Sequence, residues 1–562
     1  MTAQSDYESR PGTPAVFATA LFFCLFACAA AIMMLGIQPW SGWRHDEPVS
    51  LTGLDILRLA YWERATLLPI IGAYDLHHTL MVRLAVIIAG AAVAGSAAGL
   101  IAWRATPLVD GRRHIEGLRR VSGTAAIRVA NAAMADEVME AGHDHLLAPG
   151  VRFSRIRSLV NTLILGAPGS GKTRIVLFLI EQILTGFRSP RDASIGILAH
   201  DTTGELRRGF PLADEHVACI AVNDKDSWAW ALGEDVVTLD DADAVARRLL
   251  HERPGERHGN AVFDAGGATI LTGCIAICQR THGRAWGAAE LLAATLLDPV
   301  AMREQLERAY PAAAALLDMG EDGKTLSKTS ASFILTFRAQ ILRVLDPLAR
   351  GWKDVPVERR FSFVRWLNGD VSQPRAVLLQ RSARHAELSA AWIGAVVDLI
   401  AAHATDVAFN PERTLRLHLV LDEIHQLGPL GRFQELLDVG RNKNVSVIAT
   451  LQDLNQLRIS YGQAGADNML GRFATVIVGR MRQGEAAIQV SERLIGKRSV
   501  IDPQEVRGPD AAPPPIRAVP IVRPERLGSE LGVIDGRVRA LVIGFGDILE
   551  LTWPVTVWKT RR

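Results

Sequence analysis

A glycine-rich octet, GAPGSGKT at residues 166–173, constrains the fold of this chain more than any other stretch. It matches G-x-x-x-x-G-K-[ST] at every fixed position and stands between two apolar runs, residues 161–165 and 175–180. The first run predicts a buried strand, and the second predicts the opening turns of a helix. A glycine-rich turn between a strand and a helix points several backbone N–H groups into one hollow, which suits the phosphates of a nucleotide.

This pattern predicts a role for each part of the octet. Lys172 would reach the β- and γ-phosphates, and Thr173 would place its hydroxyl on Mg²⁺. The alternative is a glycine-rich turn without a ligand, and the strand–turn–helix setting argues against it. The predicted nucleotide-binding residues are Gly166, Ala167, Pro168, Gly169, Ser170, Gly171, Lys172, Thr173 and Arg174.

Two acidic residues after a second apolar run would complete the magnesium site. Residues 417–421, LHLVL, predict a buried parallel strand, and Asp422 and Glu423 follow it directly. Asp422 would hold the Mg²⁺ shell together with Thr173. Glu423 would orient the attacking water, and the predicted catalytic residues are Glu423, Lys172, Arg441 and Gln452. Paired acids often follow apolar runs by chance, but their position downstream of a complete phosphate loop strengthens the prediction.

Three weaker candidates accompany these residues, each with a plain structural alternative. Gln452 ends the predicted strand 445–450 and would sense the γ-phosphate, or else it caps an ordinary turn. Arg441 lies in the basic run 440–443 and would act on the site of a neighbouring subunit, or else it is a solvated surface cation. The segment 201–205, DTTGE, follows a predicted strand and is either part of the ligand site or a turn with a helix cap.

The N-terminal part predicts a membrane anchor. Residues 14–37 and 84–103 carry no charge, and each run is long enough to cross a hydrocarbon layer of ~30 Å. A cleaved signal peptide or a pair of core helices is the alternative, and the length of the runs disfavours both. Five arginines soon after the second run, at positions 104, 112, 113, 119 and 120, predict that the following bulk is cytoplasmic. We therefore expect a multi-pass protein of the bacterial inner (cytoplasmic) membrane, in contact with membrane lipid.

Whole-chain composition adds little about partners. The formal net charge is +2, so global charge argues neither for nor against nucleic acid. The five cysteines are too few and too scattered for a disulfide framework, and they fit a reducing cytoplasm.

Several motifs together resemble the type IV secretion coupling proteins, the TraD/TraG-like conjugation ATPases of the RecA-like FtsK/HerA superfamily. The order is two apolar spans, GAPGSGKT, DTTGE, LDEIHQLG, GRNKNVSV and TLQDLNQLRISYG, with LIGKR at 494–498. The thirteen residues 450–462 are the most specific of these. Thr203 stands where the family often has Lys, and Ile424 and His425 follow the acid pair where Phe or Ala is common.

The resemblance implies an α/β fold, a RecA-like P-loop NTPase core with an inserted all-helical domain, preceded by two transmembrane helices. It implies a ring of six identical subunits that uses ATP and Mg²⁺. Ala- and Leu-rich periodic runs at 265–297, 300–317 and 330–349 support the insertion independently. Within that region Lys324, Lys328, Arg338 and Arg343 would face DNA in a pore, or else form a solvated helix face.

These observations predict five parts in the chain. The first is a membrane anchor at 1–110, with spans at about 14–37 and 82–103 and an external loop at 38–79. The others are a first nucleotide-binding part at 111–236, an inserted all-α domain at 237–350, a second nucleotide-binding part at 351–505, and a strand-rich tail at 506–562.

The resulting hypothesis is an ATP-hydrolysing motor that delivers relaxase-bound single-stranded DNA to the inner-membrane components of a type IV secretion channel. One alternative is the same motor delivering effector proteins, and a second is a DNA translocase of the chromosome-segregation type. A third is a membrane scaffold that binds ATP without turnover, and the intact Lys172, Thr173, Asp422 and Glu423 argue against it.

Overall fold

A computed structural model describes most of the chain. The described residues are 7–9, 19–29, 39–62, 67–105, 107–109, 113–185, 195–222, 224–250, 261–321, 323–411, 416–501 and 515–558. They divide into two compact units, residues 1–117 with 497–519, and residues 118–496 with 520–562.

The first unit combines a long apolar helix with small β-elements. Its helices are Thr19–Ala29, Gly53–Trp62, Leu67–Ala73 and His77–Ala105. Its strands are Tyr7–Ser9, Trp40–Arg44, Glu47–Leu51, Pro107–Val109, Arg113–Glu116, Lys497–Ile501 and Arg517–Pro520. In the predicted external loop, Trp40, Ile56 and Leu76 belong to a small buried cluster beside the antiparallel hairpin 40–51.

One helix of this unit has the length and composition of a membrane span. It is His77–Gly99, within the longer helix His77–Ala105, and only 11% of its most apolar window is buried. The second helix that passes the same test, Ala386–Thr405, is 67% buried and contributes Trp392 and Val396 to the core of the other unit. Of the predicted first span, 14–37, only the helix Thr19–Ala29 lies within the described residues, so two spans remain a prediction.

The second unit is built on an eleven-stranded sheet. Across the sheet the strands are Val217–Ala221, Ala376–Gln380, Ile195–Asp201, Arg416–Leu421, Val445–Leu451, Thr162–Leu165, Thr475–Val478, Arg537–Phe545, Asp547–Pro554 and Arg120–Ser122, with Gly532–Ile534 paired to Arg537–Phe545. The first seven run parallel. Several of them are buried at every position, as expected for a parallel sheet covered on both faces.

The C-terminal strands extend this sheet. Arg537–Phe545 runs antiparallel to Thr475–Val478 and to Asp547–Pro554. Two further strand pairs complete the unit, the hairpin of His143–Ala148 with Val151–Ser154 and the short parallel pair of Ala229–Trp230 with Arg360–Phe361.

Helices cover both faces of the sheet. Before the helical region they are Gly123–Ala133, Ala135–Ala141, Lys172–Leu184, Glu205–Gly209 and Leu232–Asp235. After it they are Phe363–Leu367, Ala386–Thr405, Phe433–Val439, Leu454–Leu470, Glu485–Gln489 and Pro524–Ser529, with a π-helix at Val490–Ile495. Short 3-10 helices lie at Arg157–Leu159, Asp214–His216, Val357–Arg359, Ile424–Leu427 and Gly440–Lys443.

The Ala- and Leu-rich region is helical, with more breaks than the sequence pattern indicates. Its helices are Leu239–Leu249, Ala261–His282, Ala288–Thr295, Pro299–Ala309, Pro311–Ala314 and Lys328–Trp352. The predicted continuous run 265–297 divides after His282, where Gly283 has a φ of 64°. Glycine reaches that conformation readily, and it ends the helix.

Candidate nucleotide-binding site

The phosphate loop is a turn that only glycine permits at two positions. Gly169 and Gly171 have φ of 73° and 93°, in the left-handed region that side chains disfavour. A Cβ on Gly171 would also lie 2.6 Å from Val538 Cγ1. The helix Lys172–Leu184 begins directly after this turn, as the octet predicts.

Both neighbouring strands anchor the loop. The Gly166 N–H donates to the Leu451 carbonyl at 3.1 Å, on the side of the strand Val445–Leu451. The Ala167 N–H donates to the Arg480 carbonyl at 2.8 Å, just past the strand Thr475–Val478. These bonds hold the first residues of the loop at the carboxyl edge of the sheet, where α/β proteins bind their ligands.

Lys172 and Glu423 meet in this site, although they are 251 positions apart in the sequence and follow different strands of the sheet. The Lys172 Nζ donates to the Gly166 carbonyl at 2.5 Å and lies 3.4 Å from Glu423 Oε1. Each side chain is only 9% exposed. Glu423 has a left-handed φ of 48°, an uncommon conformation for a residue with a side chain. Such outliers concentrate at functional sites.

Opposing effects act on the pKa of Glu423. Burial raises the pKa of its carboxyl, the Lys172 ammonium lowers it and the Asp422 charge raises it, with a net increase. A hydrogen bond from Gln452 also acts on Glu423, so the predicted sensor residue contacts the predicted catalytic one. Glu423 Oε2 is buried, makes no hydrogen bond among the described residues and lies 3.5 Å from His425 Nδ1. A buried carboxylate oxygen without a hydrogen bond can accept one from a water molecule.

Two threonine hydroxyls hold the Asp422 carboxylate. Thr202 donates to Oδ2, and Thr450 donates to Oδ1 at 2.9 Å. The Thr450 hydroxyl also accepts the Glu423 N–H at 2.9 Å. His200 Nδ1 lies 2.8 Å from the Asp422 carbonyl, and burial lowers the pKa of this histidine to about 4, so a neutral ring donates here. None of Thr202, Thr450 and His200 is predicted from the sequence as an individual site residue.

The DTTGE segment is both a turn and part of the site. The Asp201 carboxylate accepts the N–H groups of Thr203, Gly204 and Arg207, at 3.2, 2.8 and 3.0 Å. These hydrogen bonds are those of a turn that leads into a helix, as the turn interpretation predicts. Thr202, however, reaches Asp422, so the two interpretations apply to different residues of one segment.

Arg174 lies directly after the phosphate loop, whereas Arg441 lies at the far end of a neighbouring strand. Arg174, predicted to bind nucleotide, pairs with Glu205 at 2.6 Å and donates to the Thr556 carbonyl at 3.1 Å. Arg441 is exposed and precedes the strand Val445–Leu451, whereas the phosphate loop follows the strand beside it. Because these strands are parallel, Arg441 lies at the opposite edge of the sheet from the loop of its own chain. Its action on a neighbouring subunit stays a prediction.

The segment 450–462 connects to the loop after the acid pair. Its helix breaks at Gly462, which has a φ of 72°. The neighbouring Tyr461 hydroxyl accepts the Leu430 N–H at 3.0 Å, and burial raises the pKa of this phenol to about 12. A neutral tyrosine therefore joins this helix to the residues that follow Asp422 and Glu423.

The residues present fit a magnesium nucleotide. Ser170 Oγ, within the loop, is buried and lacks a partner among the described residues, and the helix Lys172–Leu184 begins two residues later. In the described part of the chain no group of three or more His, Cys, Asp and Glu side chains has the arrangement of a metal site. Oxygens of Thr173, Asp422, phosphates and water would give a magnesium ion its usual coordination at phosphate loops.

The described architecture matches a known family. The sequence model of the type IV secretion-system coupling protein DNA-binding domain matches residues 145–510. This chain belongs to the type IV secretion-system coupling proteins. The resemblance drawn from the motifs is thereby confirmed. A comparison with curated proteins gave no match for this coupling protein.

Solved structures confirm the fold of the coupling protein. The unbound bacterial conjugative coupling protein TrwB, in a form lacking N-terminal residues, has a TM-score of 0.63 and 17% identity, over 80% of this chain and 96% of that one. The plasmid coupling protein TrwB in complex with ADP and Mg²⁺ gives 0.62 and 18%, over 80% and 96%. Its complex with the non-hydrolysable ATP analogue ADPNP gives 0.62 and 18%, over 80% and 95%.

Proposed function

We propose that this coupling protein is a membrane-anchored ATPase that couples ATP hydrolysis to the delivery of relaxase-bound single-stranded DNA into a type IV secretion channel. One observation carries the proposal. Lys172, Asp422 and Glu423, which follow two different strands, meet at one edge of the sheet in a chain of this family.

The residues divide the work of hydrolysis between them. The loop residues 166–174 bind the phosphates, with Lys172 as the principal cation, and Thr173 and Asp422 hold Mg²⁺. Bound Mg·ATP supplies the phosphoanhydride bond whose cleavage releases free energy. Glu423 orients a water molecule and accepts its proton, a role that its raised pKa favours. Gln452, which bonds to Glu423, couples that residue to the state of the γ-phosphate.

The choice of ATP and Mg²⁺ as ligands rests on the family and on similar folds. TrwB is described in complex with ADP and Mg²⁺ and with an ATP analogue. We propose the same ligands here. A homohexameric ring would bring the exposed Arg441 of one subunit to the phosphate loop of the next, where a cation stabilises transition-state charge.

The anchor and the DNA path complete the proposal. The helix His77–Ala105 is proposed as a transmembrane helix, with residues 14–37 as the other span and the five parts of the chain bounded as predicted. The name of the matching family domain supports DNA as cargo. Exposed Lys324, Lys328 and Arg343 in the helical region are candidates for phosphate contacts. Arg338 is a weaker candidate because it donates to the Thr295 carbonyl at 2.9 Å.

The test is the ATPase activity of the full-length protein in detergent, with and without single-stranded DNA. We expect hydrolysis that DNA stimulates, and we expect Lys172→Ala to abolish it. Lys353→Ala, which removes an exposed lysine at the end of the helix Lys328–Trp352, is the matched control and should leave turnover unchanged. Equal turnover of wild type and Lys172→Ala would refute the ATPase, and stimulation by a secreted protein but not by DNA would refute the cargo.

A further inference from the structure

A second cation stands beside the phosphate loop, on the side away from the acids. Arg480 follows the strand Thr475–Val478, which pairs with the loop strand Thr162–Leu165. Its carbonyl accepts the Ala167 N–H at 2.8 Å, and its Nη2 lies 3.4 Å from the Gly169 carbonyl. The backbone and the guanidinium of one residue thus both contact the loop. Arg480 belongs to none of the sequence motifs that indicate the family.

Glycines keep the space around this side chain open. A Cβ on Gly169 would lie 3.3 Å from Arg480 Nη2, and a Cβ on Gly532 would lie 3.1 Å from Arg480 Cβ. Both glycines have positive φ, which side chains disfavour. The segment is also tied down, because the Met481 N–H donates to the Leu527 carbonyl at 3.0 Å. The local backbone therefore directs the arginine along the loop.

The charge of Arg480 is not neutralised by a carboxylate. Its side chain is exposed, and no Asp or Glu in the described part of the chain lies within ion-pair distance of it. The carbonyl contact at 3.4 Å is at the long limit of a hydrogen bond. A cavity of about 450 Å³, lined by Ala167, Pro168 and Arg480 among others, opens beside it. A guanidinium in such a position has donors free for an anion.

We infer that Arg480 binds the terminal phosphate of the nucleotide from within the same subunit, an inference that rests on the proposed ATPase function. The loop N–H groups hold the inner phosphates, and Lys172 occupies the inner side between Gly166 and Glu423. Arg480 approaches from the opposite neighbouring strand, so it reaches phosphate oxygens that the loop leaves uncovered. A cation there stabilises the charge of the transferred phosphoryl group, as an arginine supplied in cis does in other phosphate-loop enzymes.

The test compares two nucleotides on the full-length protein. Dissociation constants of a fluorescent non-hydrolysable ATP analogue and of a fluorescent ADP, each with Mg²⁺, are measured for wild type, Arg480→Ala and Arg480→Lys. We expect Arg480→Ala to raise the dissociation constant of the ATP analogue ~tenfold or more and to change that of ADP by no more than ~twofold. The reason is that only the analogue carries the terminal phosphate. Arg480→Lys should recover part of the loss, since it keeps the charge without the planar fork.

Lys353→Ala is the control, because it removes an exposed cation at the end of the helix Lys328–Trp352 and Lys353 does not line the cavity beside Arg480. It should change neither constant. Unchanged analogue binding by Arg480→Ala would overturn the inference, and so would an equal loss of ADP and analogue, which would mean that the arginine only shapes the loop. Wild-type protein that binds neither nucleotide would instead overturn the proposed function itself.

Discussion

Thr202 offers a sharp test of how the proposed magnesium site is organised. Its hydroxyl donates to Asp422 Oδ2, while Thr450 donates to Oδ1 at 2.9 Å. Thr202→Val keeps the shape of the side chain and removes only the donor. One oxygen of the carboxylate then loses its hydrogen-bond donor, so the carboxylate is held less firmly toward the proposed Mg²⁺ position.

The size of the effect follows from the charge of the acceptor. A hydrogen bond to a charged group contributes about 1.5–3 kcal/mol. Thr202 is partly exposed, so water replaces part of the loss and the lower end applies. Since ~1.4 kcal/mol is a factor of ten, the Mg²⁺ affinity should fall about tenfold. Removal of a residue that orients a metal ligand typically costs ~10–100-fold in metal affinity, which agrees.

The assay is the Mg²⁺ dependence of ATP-analogue binding by the full-length protein, without turnover. Thr202→Val should shift the half-saturating Mg²⁺ concentration upward about tenfold, and Thr202→Ser should restore it. Thr203→Val is the control, because Thr203 is the exposed neighbour and, among the described contacts, its hydroxyl accepts just the Glu205 N–H at 3.4 Å. An unchanged Mg²⁺ dependence in Thr202→Val, or an equal shift in Thr203→Val, would refute the reasoning.

Three further predictions concern stability and coupling. Asp235 is buried and accepts four hydrogen bonds. Asp235→Ala should therefore lower the free energy of unfolding, measured in urea, by about 4 kcal/mol. A decrease below ~1 kcal/mol would contradict this prediction. Burial raises the pKa of Asp144, but hydrogen bonding and the charges of His145 and Arg416 outweigh it and lower the pKa below its ordinary 3.8. The ionised Asp144 carboxylate therefore stabilises the fold above that pKa, and this stabilisation is lost on acidification. The difference in free energy of unfolding between wild type and Asp144→Asn should narrow from about pH 5 to pH 3. A difference that stays constant over this range would contradict the prediction. Tyr461→Phe removes the hydroxyl that accepts the buried Leu430 N–H. It should reduce DNA-stimulated ATPase activity severalfold and leave ADP affinity, measured by fluorescence, unchanged. Equal losses of activity and ADP affinity would indicate misfolding and contradict the prediction.

The sequence by itself determined the features that depend on neighbours along the chain. The octet 166–173 specifies its own turn, because its glycines permit left-handed backbone and the flanking apolar runs form the strand and the helix. The position of the acid pair after 417–421 is set by the same kind of local pattern. The order of motifs was also sufficient for the family, which the match over residues 145–510 confirms.

Only the tertiary structure decided which further distant residues join the loop and the acid pair. Thr202 and Asp422 are 220 positions apart, and Arg480 and Gly169 are 311 apart. Their contacts depend on the order of strands in the sheet, and no periodicity or composition along the chain encodes that order. The same order separates Arg441 from its own phosphate loop. Arg441 precedes a strand and the loop follows the neighbouring parallel strand, so the two lie at opposite edges of the sheet.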